Sequence, residues 1–491
     1  MDFVVLSLFA LLAFISRVVN LLEVPIFTDE AIYIRWAQIG LNDPAHRFIS
    51  LTDGKQPLFT WLMYPFLSIF TDPLFAGRFV SVLSSMLAVS GIYFLAKELF
   101  NRKTAVFACI LYLISPFALL YDRLALMDSL LSALLVWCLY FTVMLTRYSR
   151  LYFSFMLGIT AGFGLLTKSS AAFGLYLLPF SLLLFNFSEK NNLNKLLKWA
   201  VFSFLSIIIA QIIYNLLRLS PYFYIIEQKN YSFIMTFDEF IKSPLRIFLP
   251  NLNGLTGWLF SYLTIPVAVI TIINLIISII KVKRIIFLLF LWFIIPFLAL
   301  AFLGKVIFPR FILFMTMPLL IIAADFLSRF YSFARIRMKY AYIVILLILA
   351  QSFYISLVLI VKPVNADIPL NDRNQFFDDW PSGFGVRQVV DYIENESRKG
   401  KVVLGTEGTF GLNPAAYEIY LKSNDNIIIK GYWPVKSVPA ELKNYARLYP
   451  TYLVFKDTQE FPGNWPLKLV ARYRRGLKNT YLYFYQVIPE D

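Results

Sequence analysis

Long apolar runs alternate with short polar breaks over the first 361 residues, and the texture then changes. A helix that crosses a bilayer needs about 20 apolar residues. About eleven runs approach that length, near 3–22, 76–96, 104–120, 126–145, 152–167, 169–187, 196–215, 258–280, 285–303, 311–327 and 340–361. The runs 152–167 and 169–187 are nearly continuous, which allows a tight re-entry there. The first run lacks a basic leader and a small-x-small cleavage pattern, so it reads as a retained helix rather than a signal peptide. Residues 57–70 form an apolar stretch too short to span, expected in the interface or against the bundle.

Beyond residue 361 the periods shorten. Val386, Val389, Val390 and Ile393 stand at i, i+3, i+4 and i+7, an amphipathic helix. Strands are predicted at 402–404, 427–429, 452–455, 467–471 and 481–487, separated by Gly, Pro and Asn turns. The chain thus predicts two domains. Residues 1–361 form a polytopic, mainly α membrane domain with long loops at 23–75 and 216–257. Residues 362–491 form a small α/β domain.

Composition sharpens this picture. Of 491 residues 59% are hydrophobic and 15% charged, against about 25% charged in ordinary soluble domains. Two Cys and one His exclude a disulfide framework, Cys-built zinc sites and HExxH helices. Chemistry is left to carboxylates, Lys, Arg, Tyr and backbone. The formal charge of +15 is not a nucleic-acid signature, because it sits among the spans: 28 Lys and Arg face 15 Asp and Glu up to Val361, and 17 face 15 beyond it. One set of loops is almost purely basic. It holds Lys97, Arg102 and Lys103; Arg147 and Arg150; Lys190, Lys195 and Lys198; Lys281, Lys283 and Arg284; and Arg329, Arg335, Arg337 and Lys339, with only Glu98 and Glu189 as acids. By the positive-inside rule these loops are cytoplasmic. An odd span count then puts the amino terminus inside and the C-terminal domain outside.

The opposite loops carry both signs, and carboxylates near a bilayer need a reason. Thr28-Asp29-Glu30 opens a predicted helix, with Thr28 or Asp29 as its cap. Asp29 is a candidate general base, with Glu30 beside it. Lys55 precedes the short apolar helix and is either a snorkelling anchor or a ligand for a lipid phosphate. Asp122 and Arg123, for which a simple pair of little energetic gain is the bland reading, precede Asp128 at the start of a span. Lys168 lies between apolar runs with no adjacent acid, a functional candidate by default. The stretch Gly162–Ser169 imitates a phosphate loop but lacks the Gly before Lys, so a nucleotide site is rejected. Arg246, Lys305 and Arg310 add cations on the same side. Acids and cations converging at one lipid face suit transfer of a group from an anionic lipid carrier to a hydroxyl. A carboxylate orients or deprotonates the acceptor and cations stabilise the leaving phosphate. The competing readings are a transporter or lipid flippase, whose charges belong near the midplane, and a non-catalytic scaffold.

In order along the chain, Asp29-Glu30, Lys55-Gln56-Pro57, Arg123…Met127-Asp128, Leu166-Thr167-Lys168 and Lys305…Pro309-Arg310-Phe311…Met317-Pro318 resemble glycosyltransferase family 39, the protein O-mannosyltransferase and aminoarabinose lipid A transferase group of the GT-C fold. The resemblance covers residues 1–330. It implies a bundle with a polyprenyl-phosphate sugar donor and transfer on the extracytoplasmic face of an inner, prokaryotic membrane. It implies Asp29 as base or acceptor-positioning acid, Asp128 as a second site carboxylate, Lys55 on the donor phosphate, and Lys168 and Arg310 assisting. No cofactor is expected beyond the lipid-linked substrate, with a divalent metal left open; the acceptor is protein, lipid or glycan. The chain departs from the family at Gly54, where Glu or His is usual, at Gln56 for Pro, at Ser169 for Gly, and at Phe311 for Tyr.

Overall fold

The computed structural model describes residues 2–188, 191–337 and 340–489; Glu189, Lys190 and Lys339 of the basic loops lie outside the described residues. The chain divides into two compact units. A helical unit comprises Met1–Asn20, Arg47–Trp61 and Phe79–Val361, and a sheet unit comprises Leu21–His46, Leu62–Arg78 and Lys362–Asp491. Two segments from the amino-terminal part therefore cluster with the C-terminal region.

Among the described residues six helices are long and apolar enough to cross a membrane: Pro73–Leu99, Met127–Tyr148, Asn192–Leu219, Arg284–Leu303, Pro309–Phe333 and Tyr342–Val361. A seventh span results if Phe248–Leu263 and Ile265–Ile280, bent by 108° at their junction, count as one. The protein is a multi-pass membrane protein. The other apolar runs form shorter or interrupted elements, each for a visible reason. The first helix, Asp2–Val18, has 17 residues. The run at 104–120 divides into Arg102–Leu113 and Pro116–Tyr121, because Pro116 has no N–H to continue the ladder. The run at 169–187 winds as short 3-10 and α turns, Ser169–Ala172, Phe173–Tyr176 and Leu178–Leu184. At the bend Thr264 adopts φ +65°, a conformation no helix interior accepts. Hydropathy reports apolar length; it does not report where the hydrogen-bond ladder breaks.

Helices Leu151–Thr167 and Asn192–Tyr214 approach closely at Gly158 and Gly162. A Cβ at either glycine would stand 2.7 Å from the Ile209 or Ile213 side chain. This is the small-residue packing that membrane helices use where the hydrophobic effect gives no drive. It also disposes of the phosphate-loop imitation, since Gly162 and Gly164 lie inside a continuous helix.

In the sheet unit all five predicted strands form: β1 Val402–Glu407, β2 Ile427–Tyr432, β3 Thr451–Phe455, β4 Leu467–Arg474 and β5 Tyr481–Val487. Their order is β2-β1-β3-β5-β4, with β2, β1 and β3 parallel and β5 and β4 antiparallel. Val403, Val438, Leu442, Leu453, Phe455 and Val487 fill one core. The amphipathic helix forms over Val386–Ser397 and buries Val386, Val389, Val390 and Ile393. Helix Thr28–Asn42 packs on helix Leu412–Leu421, where Arg35 pairs with Glu418 at 2.9 Å and the Gln38 amide donates to the Ile419 carbonyl at 2.8 Å.

Candidate functional site

Three of the cations singled out above share one aromatic patch in the helical unit. Met127–Tyr148 starts with Asp128 in its first turn, buried to 4% exposure. Helix Leu151–Thr167 ends at Lys168, whose extended backbone ends the helix. These two helix ends bring Lys168 Nζ to 2.7 Å from Asp128 Oδ1. Lys168 is the cation without a sequence neighbour of opposite sign, and its partner lies forty residues away. Its ammonium also stands 4.5 Å from the centre of the Phe311 ring. Arg310 lies over Phe308 at 4.8 Å and 6.0 Å from Phe311. Phe311 meets Phe233 edge-on at 6.2 Å, and Lys55 lies 5.4 Å from the Phe233 ring. The Lys305 N–H donates to the Phe233 carbonyl at 2.7 Å, and its side chain pairs with Glu239 at 3.1 Å. The Thr236 N–H, and after it Lys305, hold the Glu239 carboxyl below its ordinary pKa. Arg246 is exposed, between helices Phe237–Lys242 and Phe248–Leu263, and stands apart from these contacts.

The departures from the family pattern acquire reasons here. Gly54 has φ +67°, and a Cβ there would stand 2.5 Å from Lys229 Cβ and 2.9 Å from the Ile225 carbonyl. Glycine lets helix Ile225–Phe233 close on this turn, where Lys229 pairs with Asp53 at 2.5 Å. Gln56 is buried and donates to Ser169 Oγ at 2.8 Å, so two departures partner each other. Phe311, which lacks a tyrosine hydroxyl, offers Lys168 and Arg310 its ring face. Such contacts contribute about 0.5–2 kcal/mol.

Asp122 and Arg123 do not pair. Asp122 takes Arg17 Nε at 3.2 Å, Tyr112 Oη at 2.9 Å and Ser129 Oγ at 2.8 Å. Arg123 donates to the carbonyls of Ser16, Arg17, Val19 and Asn20. It thereby satisfies the orphan carbonyls that end the first helix. Both residues hold the scaffold.

Asp29 and Glu30 belong to the sheet unit. Helix Thr28–Asn42 is entered from Phe27, not capped by Thr28 or Asp29. Thr28 donates through both its N–H and its hydroxyl to the Pro381 carbonyl, at 3.1 and 3.0 Å. Glu30 is fully buried. Its carboxylate accepts the Phe27 N–H at 2.9 Å and is gripped by Arg78 through two bonds of 2.8 Å. Arg78, equally buried, also donates to the Leu21, Val24 and Pro25 carbonyls. Asp29 is only partly buried and sits in the first turn of the helix, where the dipole favours a carboxylate. Sequence reasoning passed over Arg78 and Arg17, although an Arg inside an apolar run is itself a signal. It also passed over Phe233, for which the sequence carries no signal. Among the described residues no group of three or more His, Cys, Asp and Glu is placed to hold a metal ion.

With this geometry in hand, the profile of the family described as dolichyl-phosphate-mannose-protein mannosyltransferase matches residues 54–214. ArnT from Cupriavidus metallidurans in the apo state is similar in fold, with a TM-score of 0.59 at 15% identity, covering 99% of this chain and 98% of that one. The same enzyme bound to undecaprenyl phosphate gives 0.58 at 13% identity, over 99% and 98%. The archaeal oligosaccharyltransferase AglB from Archaeoglobus fulgidus, in complex with an inhibitory peptide and a dolichol-phosphate, gives 0.54 at 13% identity, over 92% of this chain and 69% of that one. No curated protein sequence matches the chain. The chain has the GT-C fold of these transferases, as its ordered motifs led one to expect.

Proposed function

We propose that this protein is an integral-membrane glycosyltransferase that moves a sugar from a polyprenyl-phosphate carrier to an acceptor on the extracytoplasmic face of a prokaryotic inner membrane. The observation that carries the reading is the Lys168–Asp128 pair at 2.7 Å over Phe311, with Arg310 and Lys55 on the same aromatic patch. Clustered cations with apolar walls suit a phosphate on a greasy tail. The undecaprenyl phosphate of the ArnT complex and the dolichol-phosphate of the AglB complex support a donor of that chemistry.

In this reading the acceptor hydroxyl attacks the sugar's anomeric carbon, and the bond from that carbon to the phosphate oxygen breaks. The leaving polyprenyl phosphate keeps the electron pair. Asp29 takes the hydroxyl proton, or orients the hydroxyl for attack. Lys168, Lys55 and Arg310 stabilise the charge that develops on the phosphate. Asp128 positions the Lys168 ammonium. Lys305 and Arg246 serve the periphery of the phosphate site. Glu30 is a positioning residue, fixing the turn that presents Asp29. The acceptor is a protein, lipid or glycan hydroxyl.

The test is a reconstituted assay with polyprenyl-phosphate sugars, read by mass spectrometry of the products. Wild type should release polyprenyl phosphate and glycosylate an acceptor, and Asp29→Asn should be folded and inactive. An Asp29→Asn enzyme with wild-type turnover would remove Asp29 from the reaction.

A further inference from the structure

At the far end of the helix that follows Arg310, the helical unit opens a polar cavity. Its volume is about 470 Å³, and Asn101, Arg102, Lys103, Ser328, Arg329 and Ser332 line it. Ser328, Arg329 and Ser332 lie on one face of helix Leu313–Arg337, at i, i+1 and i+4. Asn101 caps helix Arg102–Leu113 through the Thr104 N–H at 3.0 Å. Between Leu313 and Arg329 the helix rises about 24 Å at 1.5 Å per residue. The cavity is therefore separate from the Lys168–Asp128 cluster.

Its charge is unbalanced. Asp325 takes Arg329 through contacts of 2.8 and 3.1 Å, and Arg329 also reaches Asn274. Asp2 is shared by Lys97 at 2.7 Å and Arg102 at 3.2 Å. Lys103 has the Ser332 hydroxyl at 3.4 Å and forms no ion pair among the described residues. Burial, and then the neighbouring Arg329, hold the Lys283 ammonium below its ordinary pKa. Arg102, Lys103 and Arg329 thus line a cavity that has hydroxyl and amide groups in its wall and no carboxylate among its lining residues. The volume falls in the range of ligand pockets and exceeds what a small ion needs.

We propose that this cavity is a second anion site of the protein, binding a phosphate group, carried either by an anionic membrane lipid or by a free phosphate ion. Lys103 and Arg102 supply charge, and Ser332, Ser328 and Asn101 supply hydrogen bonds. Basic pockets between membrane helices take lipid head groups in this way.

The test uses the purified full chain, with native mass spectrometry in the presence of phosphatidylglycerol or phosphatidylcholine, and thermal protection by inorganic phosphate. Wild type should retain phosphatidylglycerol several-fold over phosphatidylcholine, and Lys103→Gln should lower that retention about tenfold. Lys281→Gln, an exposed charge on another loop of the same set, should leave it unchanged. Phosphate protection that Lys103→Gln abolishes, with the two lipids retained equally, supports the site with the free ion as its ligand. If Lys103→Gln fails to insert, Ser332→Ala replaces it and should weaken retention or protection at least twofold. Lipid retention and phosphate protection both unaltered in the folded variant would overturn the proposal.

Discussion

The two units treat buried charge differently. In the sheet unit, charge is closed off. Arg78 and Glu30 are both fully buried and spend their bonds on each other and on backbone. Glu407, at the end of β1, is bound by the N–H groups of Lys456, Asp457 and Thr458 and by the Thr458 hydroxyl. In the helical unit, Arg17 and Arg123 follow the same rule, capping helices with their donors. Lys168 does not: its side chain keeps 25% of its surface and touches a carboxylate and a ring. A charge whose bonds all end on backbone is scaffold. A partly exposed charge on an aromatic face still has donors to offer a ligand. Glu30, sealed against Arg78, is committed to the scaffold, while the Lys168 ammonium stays partly exposed.

Experiments can break or sharpen this contrast. The largest effect is expected for Asp29→Asn, which should lower turnover by about 10²–10⁴, the contribution of a positioned acid or base. Next, Lys168→Ala should cost about 10²–10³ in kcat, as loss of one preorganised donor does. Asp128→Asn combined with it should add far less than its own single effect, because the two act as one unit. Additive losses in that cycle would separate them. On the scaffold side, Glu30→Gln should leave Arg78 buried and uncompensated and destabilise the protein by about 3–5 kcal/mol. Thermal unfolding should fall before any change in the pH dependence of turnover. If Glu30→Gln instead left stability intact and changed the pH profile, Glu30 would be catalytic after all. Phe311→Leu should keep the fold and reduce donor affinity by the loss of about 0.5–2 kcal/mol of cation–π attraction.

The smallest effect concerns pH in the sheet unit. Lys456 is buried over the Trp380 ring, and burial holds its ammonium below the ordinary value. The unfolded chain therefore binds that proton more tightly, and stability rises with pH between the folded value and the unfolded one of about 10.4. Lys456→Met should flatten this rise, seen as a smaller gain in Tm on going from neutral pH toward 10. An identical slope in the variant would assign it to other groups.

Much of this was legible in the chain. Every strand of the C-terminal sheet was placed by apolar runs between turn residues, and helix Val386–Ser397 by four aliphatic positions. These signals are local: the helix buries one face, while β1 and β3 are buried along their whole length, as continuous apolar runs require. The ordered motifs gave the fold, and the partly exposed Asp29 lies in the first turn of its helix. Continuity of the spans was not legible, because a positive φ at Thr264 or a missing N–H at Pro116 changes geometry without changing hydropathy.

By itself, the sequence determined that the chain enters a membrane, carries a small α/β region, and has too few Cys and His for a disulfide framework or a zinc site built on them. Only the tertiary structure decided which charges are committed. Asp128 and Lys168 lie forty residues apart, and whether they meet depends on where two helices end and how they pack. Asp29 and Glu30 are neighbours in sequence, yet one is partly exposed and the other sealed against Arg78. Successive residues on a helix point about 100° apart, so adjacency in the chain says nothing of shared surroundings.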